Sequence, residues 1–450
     1  MNTRSSGGPG GRAVVVGASM AGLCAARVLS EYFGSVTVID RDPLSTDAPW
    51  RPHVPQGRQP HLLLHAGTRL LEAWFPGVIE ELYAGGATPF DICRDFYWHQ
   101  AGGPLIRPAT TMVGPVMSRP FLETTVRRRV ADLPGVTLRG GAAAEGVLTG
   151  DHGTRITGVR LSDGSARDCE LLVDATGRQA SSLGWLKELG YGEPPTSVIT
   201  VDTHYVSRIY RRGRRPARDW KAAVVIGAPD TRRLAMALPW EGDRWIVALV
   251  GVNGELPPMD EAGRLAFARS LDSPVIADVM AASEPLGTAV GHRFVANQRR
   301  HVEHMRRHPT GWVLIGDAVC SLDPVHGQGM STAALQAEAL GHALQHSRTV
   351  DRTFARRYFR AAAGSVAVAW SVTVGSDFAY PGTQGKKPPG TDLINRYMNR
   401  VTLAAQHDEA VCVRFSEIAG MVRRPEWLLT PPCVLRVLRL SRRGPARVPA

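Results

Sequence analysis

Lysine is nearly absent from this chain. Only Lys187, Lys221, Lys386 and Lys387 occur among its 53 basic residues; the rest are arginine. Such a bias reflects a GC-rich genome that writes arginine wherever a cation is tolerated. Arginine clusters at residues 127–129, 211–215, 299–307 and 436–447 raise the net charge to +12. No nucleic-acid-binding motif accompanies them, so the charge reads as a solvated basic surface that attracts anionic small molecules. Cysteine is scarce too: Cys24, Cys93, Cys169, Cys320, Cys412 and Cys433 are scattered, without a Cys-x-x-Cys pair. That spacing gives neither a zinc site nor a redox dithiol, and no metal is expected. Long apolar runs are missing. The best candidate, residues 361–374, is interrupted by Gly364, Ser365 and Ser371 and falls short of the ~20 residues of a membrane span. Residues 1–12 are polar and glycine-rich, unlike a signal peptide, so a cytoplasmic protein without firm membrane association is expected.

What is present centres on residues 311–330. An apolar strand at 312–315 ends in Gly316-Asp317. A loop with Pro324 follows, and then Gly327-Gln328-Gly329-Met330 opens a helix near Ser331. Asp317 can accept hydrogen bonds from a polyol, and the glycines let backbone N–H groups come close to a ligand. The helix start places partial positive charge where an electron-poor ring would become negative on reduction. Flavin adenine dinucleotide (FAD) fits this combination.

The N-terminus suits the other end of the same ligand. Residues 13–16 form a strand, Gly17-Ala18-Ser19-Met20-Ala21-Gly22 a turn, and residues 23–30 a helix. A second strand, 36–39, ends at Asp40, 23 residues after the first glycine. This is the pattern of a dinucleotide-binding βαβ unit, with Asp40 placed for ribose hydroxyls. Ser19 departs from it, standing where a second glycine is expected. Between the two units, residues 170–174 make a strand that ends at Asp174, followed by Gly177-Arg178. Taken alone, that is a strand-to-turn boundary with Asp174 as a turn former.

Together the three segments resemble the class A flavoprotein monooxygenases of the aromatic-hydroxylase type. The string Arg51-Pro-His-Val-Pro-Gln-Gly-Arg58-Gln-Pro-His61 is similar to one in flavin epoxidases and hydroxylases of polyketide, especially polyether, pathways. So are residues 205–211 and 296–300. The resemblance spans residues 12–345. It implies an α/β fold with a Rossmann-like FAD-binding domain (GR2 type), an inserted mixed β-sheet substrate domain and a helical C-terminal region. It also implies FAD contacts at Gly17 to Gly22, Asp40, Arg41, Arg58, Arg119, Val147, Asp174, Gly177, Gly316, Asp317, Pro324 and Gly327 to Met330.

The cofactor domain is expected from residues 12–85, 115–184 and 295–345, the substrate domain from 86–114 and 185–294, and the helical region from 346–450. Ser118 is a good helix cap ahead of Arg119-Pro120. Residues 234–240 and 244–252 read as a hairpin, and residues 393–413 as one helix. The basic, amphipathic segment 434–440 suits either a membrane surface or its own domain, packing on the domain being the commoner outcome. Trp98, Tyr205 and Trp240 are candidates for the substrate pocket, although such aromatics more often build core. Arg58 and His61 are the candidate catalytic residues, with bracing of the loop as the alternative for His61.

The function implied is transfer of oxygen from a flavin C4a-hydroperoxide to a polyketide-like alkene or ring, with NADPH or a partner flavin reductase supplying electrons. The substrate is free or tethered to a carrier protein. A Trp-x-Trp-x-Ile-Pro string is absent and no lysine is expected in the reaction chamber, which disfavours halogenation. The alternatives are a non-redox [4+2] cyclase, a flavin-dependent alkene reductase, and a non-enzymatic redox sensor.

Overall fold

The computed structural model describes residues 11–44, 50–213, 219–347 and 349–446. Parts of the basic clusters at 211–215 and 436–447 therefore lie outside the described residues.

Five short strands build a fully parallel sheet in the order Val136–Arg139, Ser35–Ile39, Arg12–Val16, Leu171–Asp174 and Trp312–Leu314. Burial on both faces explains why the three inner strands are nearly unbroken Val, Ile, Leu and Ala. The helices Met20–Leu29 and Gly329–Gln345 pack together on this sheet. Parallel pairing has a direct consequence for function. Val16 sits level with both Ile39 and Asp174, and Asp174 with Leu314. Segments more than a hundred residues apart thus end side by side at the carboxyl edge, where open α/β sheets bind ligands.

A three-stranded antiparallel sheet, Ala144–Gly150, Arg155–Leu161 and Ala166–Asp168, packs beside it. Val147 lies here, opposite Val159.

The second large sheet has nine strands. Its spine is the pair Thr196–Arg211 and Glu284–Arg300, extended by the expected hairpin Arg233–Trp240/Arg244–Gly251. The boundary expected at residue 294 falls inside Glu284–Arg300, and Cys320–Ser321 of the flavin-type loop joins the same sheet. The side chains alternate as a pleated sheet requires. Ala235 and Ala237 meet the helices Glu261–Arg269 and Val275–Ala281 on one face. Leu234, Met236, Leu238 and Trp240 belong to the clusters of the other face, which Trp50, Leu62 and Val325 join from the loops.

The C-terminal region is helical: Phe354–Asp377, Thr391–Ala405, Glu409–Ala419 and Pro431–Leu440. The helix expected over 393–413 is two helices. Asp408 accepts a hydrogen bond from Val411 N–H at 3.0 Å and so caps the second one, a polar competition that an apolar pattern does not reveal. The last helix packs on these two through Cys433, Val437 and Leu440. Among the described residues no helix is long and apolar enough to cross a membrane.

Candidate functional site

At the first turn, Gly17 has φ +107°, and a Cβ there would stand 2.4 Å from Ala175 O; at Gly22 it would stand 1.8 Å from Gly17 O. Only glycine lets strand and helix meet this closely. Ser19 is a good cap by type but does not cap its helix. Its hydroxyl accepts from Arg119 Nη2 at 2.8 Å and donates to Glu123 at 3.3 Å. The first turn of this helix therefore has no side-chain cap, and uncapped first-turn N–H groups are what an anion site uses.

Asp40 has no free oxygen for a ribose. It accepts from Ala18 N–H at 2.6 Å and Asp42 N–H at 2.8 Å, and pairs with Arg51 at 2.5 Å. Arg51 also reaches Glu123 at 2.6 Å and Ala18 O at 3.0 Å. Neighbouring Arg41 is exposed.

Asp174 acts as a turn former. Its carboxylate accepts from Thr176 N–H at 2.9 Å, Thr176 Oγ1 at 2.6 Å and Ser182 N–H at 2.8 Å, and the residue is 1% exposed. A Cβ on Gly177 would meet open space, so its φ of +73° is what calls for glycine. The sequence did not single out Arg178 as a ligand, yet it lies over the Phe294 ring at 5.4 Å and acts electrostatically on Asp317.

Asp317 is different. Among the described residues its carboxylate has no hydrogen-bond partner; burial pushes its pKa up, against the pull of Arg119 and Arg178. Gly316, at φ +70°, would put a Cβ 2.6 Å from that of Ala21, so the first and third motifs are in contact. Gly327 makes the left-handed turn, and Gln328 leaves the helix beginning at Gly329 and Met330 without a side-chain cap. Two further polar groups in that helix, Thr332 Oγ1 and Gln336 Nε2, are buried without partners. An open carboxylate beside an uncapped helix start fits the ribitol and ring of FAD; the glycine turn fits its pyrophosphate.

The loop before that helix is tied to the second sheet. Asp323 accepts from Thr203 Oγ1 at 2.6 Å and from the Tyr205 hydroxyl, which in turn accepts from Val325 N–H at 3.0 Å. Asn297 bridges the Asp323 backbone to Asp377, and Asp377 meets His326 at 3.0 Å. Where loop and sheet meet there is a cavity of about 10 Å³, lined by Gln59, His61, Tyr205, Met236, His292 and Pro324 among others.

Of the expected catalytic pair, one member lines this cavity. Arg58 is exposed and lies over Trp50 at 5.4 Å, outside the cavity. His61 lines the cavity, but Nδ1 is bonded to Gln59 O at 2.8 Å and Nε2 to Arg119 at 3.3 Å. Burial, and then Arg119, push its pKa down to about 3. It is a neutral brace. Of the expected pocket aromatics, Tyr205 lines the cavity with its hydroxyl already engaged. Trp240 packs on Trp50 at 6.2 Å, and Trp98 packs edge-on against Phe96 and Phe415, each at 5.3 Å. Both are core because the C-terminal helices and the 50–62 loop cover that end of the sheet. His292, the one unbonded histidine of the cavity, was missed: alternation shows that a strand has two faces, not which is inward. His301, Glu303 and His304 bring possible ligand atoms within 4.8 Å of one another, but Glu303 already pairs with Arg299 at 2.9 Å.

No family model matches the chain. Among solved structures it is similar to the flavin-dependent brominase Bmp2, with a TM-score of 0.68, 14% identity and coverage of 96% of this chain and 99% of that one. It is also similar to the Diels-Alderase PyrE3 of pyrroindomycin biosynthesis, with a TM-score of 0.60, 18% identity and coverage of 91% and 80%. PqsL of Pseudomonas aeruginosa, described as a probable FAD-dependent monooxygenase, and the p-nitrophenol 4-monooxygenase PnpA of Pseudomonas putida DLL-E4 are among the other matches. One fold thus serves bromination, cycloaddition and oxygenation, and at these identities it specifies none of them. A nearer relative is protein Rv3254 of Mycobacterium tuberculosis, 32% identical over 389 residues, which are 83% of this chain and 81% of that protein. The chain belongs to the family of that protein and has the fold of the flavin-dependent monooxygenases and halogenases.

Proposed function

We propose that this chain holds FAD along the carboxyl edge of its parallel sheet and is a monooxygenase of a polyketide-like alkene or ring. The observation that carries this reading is Asp317, a carboxylate without a hydrogen-bond partner among the described residues, in a loop packed on the helix Gly329–Gln345. FAD, when bound and reduced, supplies activated oxygen. Asp317 receives the ribitol hydroxyls. The N–H groups at Met20 to Gly22 take the pyrophosphate, and those at Gly329 and Met330 stabilise negative charge at the ring. The loop at 323–327, pinned through Asp323 to Tyr205, excludes water from the small cavity. Electrons come from NADPH or a partner reductase, and the substrate arrives free or on a carrier protein.

Two features weigh against the nearest rivals. Alkene reduction needs a proton donor, but burial lowers the pKa of both cavity histidines, and the Tyr205 hydroxyl is held well above its usual range by burial and Asp323. Lysine-dependent halogenation lacks its residue. Lys187 and Lys221 pair with Glu193 and Asp95, Lys386 and Lys387 lie in an exposed loop, and none lines the cavity. A [4+2] cyclase remains the competing activity.

The test is to purify the protein, identify its flavin after denaturation, reduce it anaerobically and admit oxygen in the presence of candidate polyenes. Product that gains one oxygen atom, dependent on reductant and oxygen, is expected. Turnover to an isomer without either would replace this reading with the cyclase.

A further inference from the structure

The cavity below Tyr205 has room for about one water-sized group. Most of its polar wall is already satisfied. Both ring nitrogens of His61 are bonded. The Tyr205 hydroxyl donates to Asp323 and accepts from Val325 N–H. Gln56 and His292 are both part-buried. Two groups remain. Gln59 is 3% exposed; its Oε1 accepts from Ser207 Oγ, but Nε2 has no partner. Across the cavity His292, its ring centroid 6.1 Å from that of Tyr205, makes no hydrogen bond among the described residues. Burial lowers its pKa against the pull of Asp323, so at neutral pH the ring offers one lone pair and one N–H.

A buried amide N–H without an acceptor costs about 1–3 kcal/mol, a penalty that a ligand oxygen relieves on entry. The oxygen of an alcohol or enol can accept from Gln59 Nε2 while its proton is donated to His292; a carbonyl oxygen can accept from both. A hydrocarbon does neither and leaves Gln59 Nε2 without an acceptor. We infer that Gln59 and His292 form an oxygen-recognition pair, and that the substrate carries a hydroxyl or carbonyl close to its reacting carbon. The inference rests on the monooxygenase reading for the word substrate, but not for the pair itself. It narrows the expected alkene to an oxygenated one.

Dimethylallyl alcohol, the matching aldehyde, and the isosteric hydrocarbon with a methyl in place of the hydroxyl test this on oxidised holoenzyme. Binding is followed by perturbation of the flavin spectrum and, independently, by tryptophan fluorescence. The wild type is expected to prefer the alcohol over the hydrocarbon by about tenfold, the worth of one satisfied buried donor. Gln59→Met and His292→Phe should each reduce that preference to under about threefold. The His292 variant breaks no existing hydrogen bond, so it guards against misfolding of the Gln59 variant. If the aldehyde is equally preferred, the oxygen is read as an acceptor; if it is not, as a hydroxyl. Equal binding of alcohol and hydrocarbon, no binding of the alcohol, or a preference that survives both substitutions overturns the inference. Flavin content on the same samples separates the two readings: protein that retains no FAD refutes the monooxygenase, while the fluorescence preference still decides the pair.

Discussion

Asp174 ends one parallel strand and Asp317 lies three residues beyond the end of its neighbour, and the two acids differ in what they bond. Asp174 accepts three hydrogen bonds from its own turn and is closed to any ligand. Asp317 accepts none among the described residues. Asp40, on the other side of the first strand, lies between them: backbone donors satisfy it in part and Arg51 covers the remainder. A motif acid is thus a ligand only where the chain withholds its own donors.

The comparison can be broken most forcefully at Asp174. Asp174→Ala leaves two buried backbone N–H groups and a threonine hydroxyl without their acceptor, and should cost at least ~3 kcal/mol in urea unfolding. FAD affinity per folded molecule should change little. A stable Asp174→Ala protein that has lost FAD would reverse the assignments of the two acids.

Asp317→Asn should act the other way. Loss of a carboxylate that accepts hydroxyls should weaken FAD by about 10- to 100-fold, read by flavin fluorescence. The apoprotein should become more stable at neutral pH. The sign follows from the raised pKa: the folded state binds the proton more tightly than the unfolded one, so ionisation of Asp317 subtracts stability as pH rises through that window. An apoprotein destabilised by this substitution would show that the acid has a protein partner after all.

His61 gives the smallest effect. Its folded pKa of about 3 lies below the ordinary histidine value of 6.5, so the unfolded chain takes up a proton that the folded one refuses. Stability is therefore full above pH 6.5 and falls as pH drops towards 3, by up to about 2 kcal/mol at pH 5. His61→Asn should flatten that acid limb between pH 7 and pH 5. An unchanged slope would mean that the ring protonates in place, restoring it as a catalytic candidate.

Local rules made much of the site legible in the sequence. The glycines at 17, 22 and 316 stand where close approach leaves no room for a Cβ, and Gly327 makes a left-handed turn. The strands of the parallel sheet are apolar because both faces are covered. The string 51–61 shows the limit of a motif: it was noted for Arg58 and His61, whereas Arg51 closes the acid cluster, Gln59 presents the free amide and His61 is a brace. Residues 393–413 are apolar enough for one helix, and only the Asp408 cap splits them.

From the sequence alone came the dinucleotide-type βαβ unit, the Gly-Asp loop, the α/β class and the substrate-sheet hairpin, because each depends on residues near one another in the chain. Which acid stays open, which aromatics are core, and that His292 faces Gln59 across a cavity were decided only by tertiary structure. Those outcomes turn on whether a polar atom meets a partner, and Arg119 beside His61 and Asp323 beside Tyr205 come from a helix and a loop far away in the chain.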